Sequence, residues 1–250
     1  MAEVYRTGNP VAELPGPCGP LTETEAYSIQ DALIDHCGWR PMGWKVGATN
    51  PTALRLLGLP GPFSGRLLLH SSHGDGVHVA LVGGRRALVE AEIAFRLGAD
   101  LTPEQAPFTR QSVVAAVIEA MPAIEVVYPR FVDWLAVGGL QIIADNGVHG
   151  SFVAGAGTGM WDSGGMADLA VVLRINGETA AEGTPRNVLG HPLASLVWQA
   201  NHAAARGLTL KKGEVVTTGS CVALVWADPN DRVTADFGAM GTVSVVLGSS

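Results

Sequence analysis

The sequence predicts a β-rich α+β protein, and three observations carry that reading. Short β-branched-rich runs separated by Gly, Pro and Asp recur from "MGWKVGATNP" to the end of the chain. In that region only two segments have the apolar periodicity of a helix. Strands and helices do not alternate as βαβ units, which points away from a doubly wound parallel sheet. With 250 residues, and with no internal repeat or low-complexity linker, the chain reads as one main domain. We expect a small helical segment over residues 1–45 packed on a catalytic body over residues 46–250.

The elements follow in order. "GNPVAELPGPCGP" is punctuation, and "LTETEAYSIQDALIDHCG" then carries an approximate apolar stripe through Tyr27, Ile29, Leu33 and Ile34. Thr22 followed three residues later by Glu25 has the form of a capping box, so a helix is expected there. Eight runs read as strands: "RRALVEAEIAFRLG", "PAIEVVYPRF", "LQIIADNG", "SFVAGAG", "LAVVLRING", "GEVVTTGSCVALVWA", "DRVTADFG" and "GTVSVVLG". One further helix is predicted across "TRQSVVAAVIEAMP", opened by Thr109, with Val113, Val114, Val117, Ile118 and Met121 on one face. Another is predicted across "HPLASLVWQANHAAARG", stopped by Gly207.

Composition excludes several classes of function. A net charge of −7 without a Lys/Arg stripe argues against nucleic-acid binding. The first residues lack the basic and apolar regions of a signal peptide, and no apolar run approaches the ~18 residues of a membrane span. Cys18, Cys37 and Cys221 are scattered, without CxxC spacing, and suit a reduced cytoplasm rather than a zinc site. Charged residues make up only 16% against the roughly 25% of an average domain, so part of the surface is expected to be covered in a homo-oligomer.

Familiar catalytic motifs fail. "GAGTG" (Gly155 to Gly159) lacks dinucleotide-fingerprint spacing, "KKGE" at Lys211 is no P-loop, and there is no GxSxG elbow. His191 precedes a proline at a helix start and reads as structural. The carboxylates remain. Glu90 and Glu92 lie two apart in an apolar run, so in a strand both point to one face. Glu125 is alone in a similar setting. Any one of them could face solvent on a one-sided strand. Three together in apolar strands are costly without compensation, and a hard divalent cation such as Mg²⁺ or Mn²⁺ supplies it. Lys45, in "GWKVG", is either an exposed strand residue or a buried one with a lowered pKa.

"GWKVGATNP", "EAEIAFRLGADL", "PAIEVVYPRFVDW", "IADNG", "LGHPLASLVWQAN" and "LKKGEVVTTGS" occur in an order that resembles the fumarylacetoacetate hydrolase superfamily, in its branch of 2-keto-4-pentenoate hydratases and 4-oxalocrotonate decarboxylases. The resemblance runs from about Leu21 to Val246. It implies a mixed β-roll with an N-terminal helical part, homo-oligomerisation, and 2-oxo or 2-hydroxydienoic acid substrates from aromatic-compound breakdown. It also implies Mg²⁺ or Mn²⁺ ligation by Glu90, Glu92 and Glu125, a catalytic Lys45 beside the substrate, and Asn146 and Ser220 as further substrate contacts. The leading expectation is a metal-dependent hydratase acting on a 2-hydroxy-2,4-dienoate; a decarboxylase or C–C bond hydrolase on a related 2-oxo acid, and a non-catalytic complex subunit, are the alternatives.

The chain departs from the family pattern near the substrate. Phe63, in "GPFSG", stands where an Asp of a "PDFG" motif is expected. Val148 replaces a serine of "ADNAS", and Tyr128 and Pro129 replace the first two residues of "DSR". His149 or His73 could supply a substituted proton-transfer group, or both could be loop residues. Arg66, Arg86 and Arg130 are the candidates for holding a distal carboxylate.

Overall fold

The computed structural model describes residues 1–16 and 19–249; Cys18 lies outside them. It contains two mixed sheets with helices over one of them, the architecture implied by the resemblance. A short helix α1 (Ala2–Thr7) leads to α2 (Glu23–His36). The Thr22 hydroxyl accepts from the Glu25 amide, and the Glu25 carboxylate accepts from the Thr22 amide, so the predicted capping box is formed.

The main sheet has the order β2 (Phe63–Leu68), β1 (Pro41–Gly47), β10 (Val215–Ser220), β5 (Ala87–Leu97), β6 (Val117–Val127), β7 (His149–Ala154) and β3 (Ser72–Gly74), with β11 (Val225–Ala227) also on β5. The β1–β10 and β7–β3 pairs are parallel and the others antiparallel. The second sheet has the order β4 (Val77–Leu81), β13 (Thr242–Ser249), β12 (Arg232–Asp236), β8 (Val171–Ile175), β9 (Glu178–Gly183). Because β1 starts at Pro41 and pairs inside the main sheet, the expected boundary at residue 45 falls within a strand.

One face of β5 and β6 packs into the large core. Val89, Ala91, Ile93 and Phe95, with Ile124 and Val126, meet Leu173 of β8, Val233 of β12 and Val245 of β13, and α6 (Pro192–Ala205) adds Leu196 and Ala200. Burial of each such side chain contributes roughly 1.5–3 kcal/mol. The opposite face carries Leu88 and Val127 into a second cluster with Ala26 and Tyr27 of α2, and with Ile142 and Ile143 of α5 (Gly139–Ala144). Gln30 of α2 fastens this layer, its amide donating to the carbonyls of Ser64 and Ile143 at 3.2 and 2.8 Å.

Two predicted elements differ. The helix opened by Thr109 ends as α4 (Arg110–Ala116), and Val117 to Val127 extend as β6. β-branched Val117 and Ile118 gain more as part of an eleven-residue strand paired along β5 than from one further helical turn. "LQIIADNG", read as a strand, forms α5; a short apolar run does not separate the two states. A helix α3 (Pro51–Leu57) was not anticipated, although its signals are present: Asn50 caps it, Pro51 opens it and Gly58 closes it at φ +64°.

Candidate active site

The site is built on the sheet face turned toward α2 and α5. Alternation along β5 sends Glu90 and Glu92 to this face while Val89, Ala91 and Ile93 enter the large core. The antiparallel register sets Glu125 of β6 directly opposite Glu90. Each of the three glutamates offers an oxygen within 4.8 Å of the others. Glu92 is 1% exposed and Glu125 fully buried.

Burial, together with the neighbouring glutamates, raises the pKa of Glu90 and drives that of Glu92 well above the usual carboxylate range. Glu125 behaves differently. Burial would raise it, but the Lys45 ammonium and His149 override that and hold it below its ordinary value. Two buried oxygens, Oε1 of Glu92 and Oε2 of Glu125, have no hydrogen-bond partner. Orphaned buried carboxylate oxygens are expensive, and an all-oxygen set of three carboxylates is the donor chemistry that Mg²⁺ or Mn²⁺ selects. The residues fit such an ion.

The backbone supports the cluster. The Gly219 amide donates to Oε2 of Glu92 at 2.8 Å, at the point where the β10–β5 register shifts. Gly219 has φ +106°, and a Cβ there would collide with Thr49, so glycine is required.

Lys45, on β1, is 3% exposed. Its Nζ lies 2.7 Å from Oε1 of Glu125 and donates to the Gly147 carbonyl at 2.9 Å. The buried alternative for this lysine is therefore the observed one, but with the opposite shift. Burial favours the neutral amine, while the pull of Glu125, Glu90 and Glu92 outweighs it and raises the pKa.

Lys45 and Glu90 open onto a cavity of about 640 Å³ that Ser220 also lines. Its remaining wall is mostly apolar, with Leu57, Phe63, Trp134, Ile142, Val148 and Leu224 among its residues. Phe63 lies against Gly47 and Gly147, where a Cβ at either glycine would meet its ring. The Ser220 hydroxyl donates to the Val222 carbonyl at 2.9 Å.

Not every sequence-predicted residue joins this group. Asn146 is fully buried behind the cavity wall, its side-chain oxygen accepting from the Arg66 amide at 2.7 Å and its nitrogen donating to the Arg66 carbonyl at 3.0 Å. It braces β2 rather than facing the cavity. His149 and His73 are absent from the cavity wall, and His149 instead meets Glu125 from the far side. The three arginines are engaged elsewhere: Arg66 over the Trp44 ring, Arg86 beside Asp228 and Trp226, Arg130 over Tyr5 and near Asp145. His191 caps α6, accepting from the Leu193 amide, as its sequence context suggested. Cys37 and Cys221 are free thiols. The apolar wall supplied by α3 and Trp134 was missed; the Asn50–Pro51 helix start was the signal that would have found part of it.

A carboxylate triad on paired strands, beside a buried lysine and at the base of a largely apolar pocket, is the arrangement from which the chain's relationships can be read. The chain belongs to the fumarylacetoacetate hydrolase family, whose C-terminal domain model matches residues 57–247. It is 31% identical over 246 residues to a 2-keto-4-pentenoate hydratase of Burkholderia vietnamiensis, covering 97% of this chain and 93% of that one. It is 33% identical over 251 residues to a 2-hydroxyhexa-2,4-dienoate hydratase of Comamonas testosteroni, covering 98% and 94%. Among solved structures, the 4-oxalocrotonate decarboxylase of Pseudomonas putida G7, complexed with magnesium and adipate, superposes with a TM-score of 0.88 at 27% identity, over 98% of this chain and 93% of that one. Among the described residues no helix is long and apolar enough to cross a membrane.

Proposed function

We propose that this protein is a divalent-metal-dependent hydratase that adds water to a 2-hydroxy-2,4-dienoate with a single carboxylate, in the breakdown of aromatic compounds. The carrying observation is the cavity wall. Apart from Lys45 beside the triad, no cationic side chain lines it among the described residues. A dicarboxylic substrate would find no cationic side chain on that wall to pair with its distal carboxylate, only neutral polar groups such as Asn50 and Asn187 among apolar ones. An alkyl tail would be matched there. The names of the hydratase relatives point to the same reaction.

Glu90, Glu92 and Glu125 would hold the cation, Mg²⁺ or Mn²⁺, which supplies Lewis acidity toward the substrate's 2-oxygen and carboxylate. Lys45, kept cationic by the carboxylates around it, holds a proton at Nζ beside the bound acid and steadies its carboxylate. The apolar wall orients the diene. The dienol loses its hydroxyl proton and gains one at C5; water then adds its oxygen at C4 and a proton at C3. Phe63, standing where an acidic residue was expected, contributes shape and no proton.

Support for a homo-oligomer comes from the low charged fraction of the chain, 16% against roughly 25% in an average domain. Free Cys37 and Cys221 support a reducing, cytoplasmic setting.

The test is incubation with Mg²⁺ or Mn²⁺ and 2-hydroxypenta-2,4-dienoate or its 5-alkyl homologues. Loss of dienol ultraviolet absorbance with formation of a 4-hydroxy-2-oxo acid supports the reading. Carbon dioxide release from a dicarboxylic substrate at higher kcat/KM would replace it with the decarboxylase.

A further inference from the structure

His149, the first residue of β7, is 1% exposed and belongs to neither the cavity nor the triad. Its ring stands between two partners. Nδ1 is 2.8 Å from Oε1 of Glu125, and Nε2 is 3.3 Å from the Ser71 hydroxyl. The backbone beneath the ring is clamped as well: the His149 carbonyl accepts from the Arg130 guanidinium at 2.7 Å. That guanidinium lies 3.4 Å from the centre of the Tyr5 ring and 3.6 Å from Oδ2 of Asp145.

The two oxygens of Glu125 are therefore in unlike positions. Oε1 takes both Lys45 and His149, while Oε2 is buried without a partner. The terminal torsion of a glutamate is broad and does not fix which oxygen faces a ligand. Lys45 alone is a poor anchor, because its ammonium is a point charge that sets no plane and is shared with the Gly147 carbonyl. A planar ring held at both nitrogens supplies the direction that the lysine lacks.

We propose that His149 is a positioning residue for the cation site: it donates Nδ1–H to Oε1 of Glu125 and so presents Oε2 to the ion, with the Ser71 hydroxyl holding the ring's other nitrogen. This rests on the reading of Glu90, Glu92 and Glu125 as metal ligands. A second-layer histidine on a ligand carboxylate is worth about 10- to 100-fold in metal affinity.

The experiment measures Mn²⁺ binding by calorimetry, at one pH and without substrate, for the wild-type protein, His149→Leu and His149→Asn. Asparagine places an amide N–H close to where Nδ1 stands. We expect His149→Leu to weaken Mn²⁺ binding by about 10-fold or more, and His149→Asn to recover it to within about threefold of wild type. A folded His149→Leu with unchanged affinity, or an Asn variant as weak as the Leu variant, overturns the role of His149. Wild-type protein that takes no Mn²⁺ overturns the triad reading itself. Should His149→Leu fail to fold, nitrogen NMR of the ring in the wild-type protein decides: a proton on Nδ1, with and without Mg²⁺, is expected, and an unprotonated Nδ1 overturns the proposal. Absence of dienoate turnover would count against the proposed reaction and not against His149, because every readout here is metal affinity or ring protonation.

Discussion

Glu90 and Glu125 are register partners on adjacent antiparallel strands, so their side chains leave the sheet on the same face. Like charges directly opposite in a strand pair are destabilising, and here the third carboxylate, Glu92, is two residues along the same strand. The repulsion is relieved by protons on the acids or by positive charge among the three. Lys45 supplies part of it at Oε1 of Glu125, and the orphaned oxygens of Glu92 and Glu125 mark where more is needed.

Metal removal should therefore expose a pH dependence. Glu90 and Glu92 have folded-state pKa values above the ordinary 4.5, because burial favours the protonated acids, helped by the charge of Glu125 at both and of Glu90 at Glu92. Between about 4.5 and those raised values the folded, metal-free protein holds protons that the unfolded chain has released. Its stability is then full below that window and falls as pH rises through it. Thermal melts in chelator should show Tm decreasing from pH 5 toward pH 8, and Mg²⁺ should restore it at the upper end. Glu92→Gln should flatten the metal-free trend and weaken Mn²⁺ binding by at least about tenfold, read by calorimetry.

Lys45→Met removes the ammonium while keeping most of the stem. Proton-transfer and charge-positioning groups contribute about 10²- to 10⁴-fold, so kcat on a dienoate should fall within that range. Mn²⁺ binding should persist, since all three carboxylates remain and a cation that competes for their charge is removed. Steady-state kinetics alongside calorimetry separates the two effects.

The apolar wall sets the preference between tails. Leu56 lines the cavity from α3 and is partly exposed, so a longer cationic side chain there can reach the interior without being fully desolvated. Leu56→Arg should improve binding of 2-oxoadipate by about tenfold, the gain of one charge-assisted contact. It should leave 2-oxohexanoate little changed. Binding titrations of the two acids in Mg²⁺ check this.

His202 provides an acid-side signature remote from the triad. It stacks on Trp198 at 4.6 Å and lies 5.0 Å from Tyr27, and burial with the nearby Arg206 lowers its pKa to about 4. The unfolded chain takes up this proton near 6.5, the folded protein only near 4. Its contribution to stability is thus complete above pH 6.5 and is lost as pH falls from there toward 4. Compared with the wild-type protein at each pH under the same metal conditions, His202→Phe, which keeps the stack and cannot be protonated, should gain Tm relative to wild type as pH falls from 6.5 to 4.5.

The carboxylate cluster was legible in sequence for a physical reason. Strand alternation makes an E-x-E spacing a statement about one face, and a lone Glu in a second apolar strand stands out wherever that strand ends up. Lys45 stood out in "GWKVG", the resemblance implied its role, and the structure added its surroundings. What sequence could not supply was three-dimensional. Asn146 belongs to a recurrent motif, yet both ends of its side chain are taken by the Arg66 backbone, a partner 80 residues away. His149 looked like a candidate proton donor, but one strand register decides that it faces Glu125 from behind. The turn from α4 into β6 at Val117 depends on pairing with β5, which no local pattern contains.

The most direct test of the account is a crystal structure with Mn²⁺ and oxalate, a flat mimic of the 2-oxo acid end. An anomalous peak with carboxylate oxygens of Glu90, Glu92 and Glu125 at about 2.0–2.3 Å, oxalate completing the shell on the cavity side near Lys45, is the predicted result. Manganese bound elsewhere, or at this site without all three glutamates, would contradict it.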